Sequence, residues 1–227
     1  MIVLTHTGKL GDFFLAMPVA SWLYKKTGEK IHWVLSSEFK PFTTIEPLLF
    51  LQEMTGKVTL VPHHIRNYKC GGQPYRFDPA KYGVEDKPYY NIGFRHLPDK
   101  YVPDFYAEEI GAGVDDDFVL NAGPARKDFS DKIVFVDDGR QLRNYIDPAA
   151  VELTIDQPLE VNLALALGAR EVHCGDSGFA VAADLAAIRN LHIWNHGRSA
   201  QPEYYHRHPE RIQFYRRREK PRFWAYE

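Results

Sequence analysis

The sequence predicts an α/β protein made of two successive units, each built on a parallel sheet. Three observations carry this. Short apolar runs alternate with helical stretches from the first residues onward; the alternation lapses and restarts at Lys132; and both halves contain a strand, a Gly-Asp turn and a helix in that order.

Ile2 to Thr5 reads as a strand, and 12–26 as a helix that places Leu15, Val19, Trp22 and Leu23 on one face, with Gly28 as its stop. Ile31 to Leu35 is a second strand, 41–54 a helix and Val58 to Val61 a third strand. A βαβαβ start of this kind implies right-handed crossovers and a ligand at the carboxyl ends of the strands. From Pro62 to Asp104 the pattern loosens into a long loop rich in Pro, Gly, Tyr and His. A helix resumes over 103–113, with Pro103 in its first turn and Gly111 near its end. The polar segment 122–131 reads as the linker. The second unit then runs through strand 132–136, a turn, a short strand near 151–155, helix 158–168, strand 170–174, helix 179–188 and strand 191–194. The expected division is 1–125, 126–205 and a tail, 206–227.

With 227 residues, 44% of them hydrophobic and 26% charged, the chain has enough apolar surface for one large domain or two small ones. Cys70 and Cys174 are the two cysteines, which excludes a disulfide framework or a four-cysteine zinc site and favours a reducing compartment. No window approaches the roughly 18 apolar residues of a membrane span, and the N-terminus does not read as a signal peptide. The expectation is a soluble, cytoplasmic protein. A net charge of -2 excludes a globally basic nucleic-acid binder.

The stretch THTGKLGD (5–12) looks at first like a phosphate loop. A Walker A loop needs its lysine after the second glycine, yet Lys9 precedes Gly11 and Asp12 follows it; the dinucleotide spacing fails as well. A carboxylate repels phosphate, so Asp12 suits accepting a proton from a substrate hydroxyl, with a simple N-cap as the alternative. The helix dipole is expected to hold Asp12 ionised and make it a weaker base. Thr7, Lys9 and Gly11 of the same turn are the candidate acceptor contacts. In the second turn, Gly175, Asp176, Ser177 and Gly178 offer amides and a hydroxyl to a diphosphate, although they also suit an ordinary capped turn. Arg140 and Arg143 are candidate bidentate phosphate ligands or solvated loop residues. Asn195 and His196, after the last strand, either reach the nucleotide or sugar or form a plain turn. The acidic runs at Asp115 to Asp117 and Asp137 to Asp138 read as surface.

Taken together, GDFFLAMPVASWL and GDSGFAVAADLA resemble the paired signatures of the ADP-heptose lipopolysaccharide heptosyltransferases, in a shortened and divergent form. Gly11, Asp12, Pro18 and Leu23 match the early spacing, and Asp176, Ser177 and Gly178 match the late motif; Val181 stands where the family has histidine. The resemblance implies a GT-B-like fold, two Rossmann-like domains with parallel sheets facing a cleft, the acceptor on the first and a nucleotide sugar on the second. It implies Asp12 as general base and the late turn beside the donor diphosphate. A nucleotide sugar is then a substrate, and neither cofactor nor metal is required.

Between His206 and Arg222 seven Lys/Arg stand against two Glu, interleaved with aromatics. A basic, aromatic tail suits a phosphate-rich or DNA acceptor, and equally a segment that packs back on the first domain. The sequence thus points to a glycosyltransferase acting on a cell-envelope saccharide or a hydroxymethylated DNA base. A non-catalytic nucleotide or nucleotide-sugar binding module is the alternative.

Overall fold

The computed structural model describes residues 1–6, 8–62, 79–84, 88–93, 99–137, 142–154, 156–195 and 202–216. It contains two parallel sheets. The first, of four strands, has the order β3-β2-β1-β4, with β1 Ile2–His6, β2 Ile31–Ser36, β3 Thr55–Val61 and β4 Tyr89–Ile92. The second, of five, has the order β6-β5-β7-β8-β9, with β5 Ile133–Val136, β6 Val151–Glu152, β7 Glu171–Gly175, β8 Leu191–Asn195 and β9 Ile212–Arg216. Every pairing is parallel. β1 is buried along its whole length, as a central parallel strand covered on both faces must be.

The first predicted helix is two helices, α1 Leu10–Phe14 and α2 Met17–Thr27. Pro18 explains the break: it has no N–H to give the Phe14 carbonyl, and its ring crowds that carbonyl, so it is tolerated only in the first turn of a new helix. Gly28 ends α2 in the left-handed region, φ 71°, and donates its N–H to the Tyr24 carbonyl at 2.8 Å. The predicted helix over 41–54 is likewise divided, into a 3₁₀ turn Lys40–Thr43 and α3 Glu46–Phe50, each with proline in its first turn. Further along are α4 Val102–Ile110, α5 Leu159–Gly168, α6 Gly178–Leu185 and α7 Pro202–Tyr205.

Two strands lie where the sequence suggests none. β4 falls inside the loosened segment and pairs with β1. β9 falls inside the supposed tail, where it pairs with β8 and extends the second sheet; this corrects the expectation that the whole segment packs back on the first unit. Ile212 and Phe214 of β9 join the core, while Tyr215 stacks on Trp194 from the opposite face. Residues 217–227 lie outside the described residues.

A single apolar cluster runs through both units, from Ile2, Leu4 and Trp33 to Val134, Val172 and Leu191. The linker is part of it, through Ala122 and Phe129. Just before it Leu120 N–H donates to the Leu185 carbonyl at 2.8 Å, and within it Arg126 N–H donates to the Ala164 carbonyl at 3.1 Å. Asp115, expected on the surface, is buried: it accepts the Ser21 hydroxyl at 2.5 Å and the Lys25 ammonium at 2.7 Å. Burial alone would raise its pKa, but Lys25 and Ser21 outweigh that and hold the carboxyl below its ordinary range. From the other unit, Arg207 donates to the Asp115 carbonyl at 3.2 Å and to the Asp116 carboxylate at 3.0 Å. No helix of the described residues is long and apolar enough to cross a membrane.

At Gly168 of α5 the linker backbone passes close by: a Cβ there would sit 2.0 Å from the Arg126 carbonyl oxygen. Gly168→Ala therefore forces backbone apart, and the expected loss is about 1–3 kcal/mol, read as a lower denaturant midpoint at unchanged slope.

Candidate functional site

The site forms where α1 and α6 meet. Their first turns touch through backbone: a Cβ on Gly178 would lie 3.0 Å from the Gly11 nitrogen and 3.1 Å from Leu10 Cβ, and one on Gly11 would lie 3.3 Å from Gly178 Cα. Both predicted Gly-Asp turns are thereby brought together, in direct contact at these glycines. Val181 is part of the same junction, buried and with Cγ2 3.6 Å from the Cβ that Gly11 lacks, so an apolar side chain occupies the position of the family histidine.

Asp12 is the third residue of α1, so it is not the N-cap residue. Its carboxylate nevertheless serves that end of the helix, because Oδ2 accepts the Lys9 N–H at 3.1 Å. The side chain is 8% exposed, and burial raises its pKa to about 6 against the opposing effects of the Lys9 amide and ammonium. This reverses the expectation of a dipole-weakened base: α1 has one turn and a correspondingly small dipole, so desolvation wins.

His6, at the end of β1, is a neighbour that the sequence reading missed. It is buried and 5.7 Å and 5.9 Å from the ring centres of Phe13 and Tyr106. Burial pushes its pKa down to about 3, so it is neutral, and its Nδ1 accepts the Gly8 N–H at 3.0 Å. Gly8 is wedged between the two ionisable side chains: a Cβ would fall 2.6 Å from His6 Cε1 and 2.8 Å from Asp12 Cβ. The Gly at position 8 was the available signal, since only glycine fits there.

The remaining candidates are distributed as follows. Lys9 is exposed at the mouth of the turn. Gly175 closes β7, Asp176 and Gly178 are half-buried, and Ser177 is the N-cap of α6 with its hydroxyl not spent on capping. Arg143 is engaged elsewhere: it donates to the Ala150 carbonyl at 2.8 Å and the Pro148 carbonyl at 3.1 Å and lies over the Phe135 ring. Thr7, Arg140 and His196 lie outside the described residues, as does the Asn195 side chain.

No family model matches the sequence, and no curated protein matches it. Solved structures do match. A glycosyl transferase family 9 protein from Veillonella parvula aligns with TM-score 0.64 at 11% identity, over 95% of this chain and 85% of its own. The chain has the GT-B-like fold of such glycosyltransferases. E. coli ADP-heptose lps heptosyltransferase II aligns with TM-score 0.61 at 11% identity, covering 95% of this chain and 90% of that one. E. coli heptosyltransferase WaaC with ADP aligns with TM-score 0.57 at 13% identity, covering 95% and 93%.

The raised pKa of Asp12 makes a stability prediction whose sign is fixed. The folded state binds the Asp12 proton more tightly than the unfolded chain, so this residue favours folding below about pH 4 and progressively disfavours it as pH rises through about 6. Asp12→Asn keeps an oxygen for the Lys9 amide and removes the buried charge. Its melting temperature at pH 7.5 should equal or exceed wild type, and the decline in wild-type stability between pH 4 and 7 should flatten.

Proposed function

We propose that this chain is a glycosyltransferase that moves a sugar from a nucleotide diphosphate sugar to a hydroxyl of a saccharide acceptor. The observation that carries the reading is the junction of the two turns, with a carboxyl of pKa about 6 on one side and the first turn of α6 on the other. Solved relatives in fold are named as complexes with ADP and with ADP-2-deoxy-2-fluoro heptose, which supports a nucleotide-sugar donor here.

In this mechanism Asp12 accepts the acceptor proton as the hydroxyl oxygen bonds to the anomeric carbon. The bond from that carbon to the diphosphate breaks, and the charge gathering on the leaving group is met by the first-turn amides of α6 and the Ser177 hydroxyl, while Lys9 stays a candidate acceptor contact. A base with pKa near 6 is ionised at neutral pH yet far more basic than a solvated aspartate. The donor turn engages the diphosphate without a metal. The apolar junction at Val181 departs from the heptosyltransferase pattern, so the sugar is left open.

A DNA acceptor draws less support. Of the basic and aromatic residues that suggested it, Arg207 is held by Asp115 and Asp116 and Tyr215 stacks on Trp194. A binding module without turnover has one observation in its favour: Asp12 is nearly buried and already accepts the Lys9 amide.

A thermal-shift screen against UDP-, ADP-, GDP- and TDP-sugars identifies the donor, since a ligand bound only by the folded state raises its stability. With that donor, Asp12→Asn should lower kcat by about 10²–10⁴-fold while donor affinity stays within about twofold. Wild-type kcat/KM should rise with pH through an apparent pKa of about 6. Donor binding with no transfer to any of a panel of saccharides selects the binding module instead.

A further inference from the structure

The second sheet carries a cluster that the transfer reaction does not use. Glu171 and His173 are two residues apart on β7 and so share a face; His192 is the register partner of His173 on β8 and lies on that face too. One ligand atom from each falls within 4.8 Å of the others. The imidazoles are stacked with centres 4.3 Å apart, and Glu171 Oε2 is 3.6 Å from His173 Nε2. Arg170 holds the other carboxylate oxygen, Oε1, at 3.4 Å. Both histidines are largely buried, whereas the Glu171 side chain is 33% exposed.

We infer that Glu171, His173 and His192 form a binding site for a divalent transition metal of the zinc class. Two imidazoles and a carboxylate are a zinc donor set, and bonds of about 2.0–2.1 Å place tetrahedral ligand atoms about 3.3 Å apart. Reaching that spacing takes rotation of the partly exposed Glu171 and a turn of the imidazoles out of their stack, because each lone pair lies in its ring plane and both must point at one ion; a fourth position is left for water. An outer hydrogen bond sets the tautomer of His192. Tyr215 donates its hydroxyl hydrogen to Gln213 Oε1 at 3.0 Å, so its oxygen accepts from His192 Nδ1–H at 2.9 Å and Nε2 keeps its lone pair.

His173 is poised differently. Trp194 Nε1–H donates to its Nδ1 at 3.2 Å, and an indole only donates, so the ring hydrogen sits on Nε2 toward Glu171. Metal coordination at Nε2 moves that hydrogen to Nδ1, where it faces the Trp194 N–H and displaces it. Binding therefore competes with one hydrogen bond, and Trp194 reports it. Glu171 and His173 flank Val172, three residues before the Gly175 that closes β7, which places the metal about 10 Å along the strand from the donor turn, outside the transfer chemistry.

The test is Zn²⁺ binding to the tag-free full chain, measured by equilibrium dialysis with metal analysis, together with the visible spectrum of the Co²⁺ form and tryptophan emission. Expected are one Zn²⁺ per chain, a tetrahedral Co²⁺ spectrum and a change in emission that is lost in Trp194→Phe. Glu171→Gln and His192→Gln should weaken binding at least about tenfold, and Trp194→Phe, freed of the competing bond, should tighten it. Absence of stoichiometric Zn²⁺ binding overturns the assignment. So does undiminished binding in Glu171→Gln, whose partly exposed side chain at a strand end makes it the variant that folds even if His192→Gln does not.

Discussion

Two α-carbons without side chains set the geometry of this molecule. Gly11 and Gly178 let α1 and α6 approach backbone to backbone, and that approach sets Asp12, the next residue after Gly11, beside the late turn and excludes a larger residue from the junction. The contact belongs to both sheets at once, since α1 follows β1 directly and α6 follows β7. A helix turn at the carboxyl end of a central parallel strand is the place where such folds work on ligands. Here two of them share one place.

Desolvation governs the chemistry of that place more than any formal charge. Asp12 and His6 are two ionisable groups separated by a glycine, and the interior pushes both toward neutrality: the acid upward, the imidazole downward. The acid remains titratable near neutrality while the histidine is fixed as a hydrogen-bonding post for the Gly8 amide. One functional group is thus tuned, and its neighbour is silenced.

Much of the architecture was legible because parallel strands buried on both faces read as continuous apolar runs, and because glycines mark the ends of helices where they must. The two Gly-Asp turns were visible for the same reason. What escaped notice had weaker local signals. β4 is a four-residue edge strand, YYNI, whose placement depends on β1 rather than on its own pattern. β9 has an alternating pattern, with Ile212 and Phe214 inward, but the cations and aromatics around it read equally as a surface for a phosphate-rich acceptor or as a segment packed on the first unit. Asp115 sits in an acidic triplet that reads as surface; only tertiary structure brings Ser21 and Lys25 to it. Arg143 shows the converse, a cation that fits a phosphate contact by position and is instead held by two carbonyls of its own loop.

The shared core also bears on how such a chain can be taken apart. Because one apolar cluster is continuous from β1 to β8, and the connecting segment is laced to α5 and α6 by main-chain bonds, neither half presents a finished surface. A chimera that exchanges one half for that of another protein of this fold inherits an unmatched apolar face. Compatibility between the two halves is consequently decided at this seam.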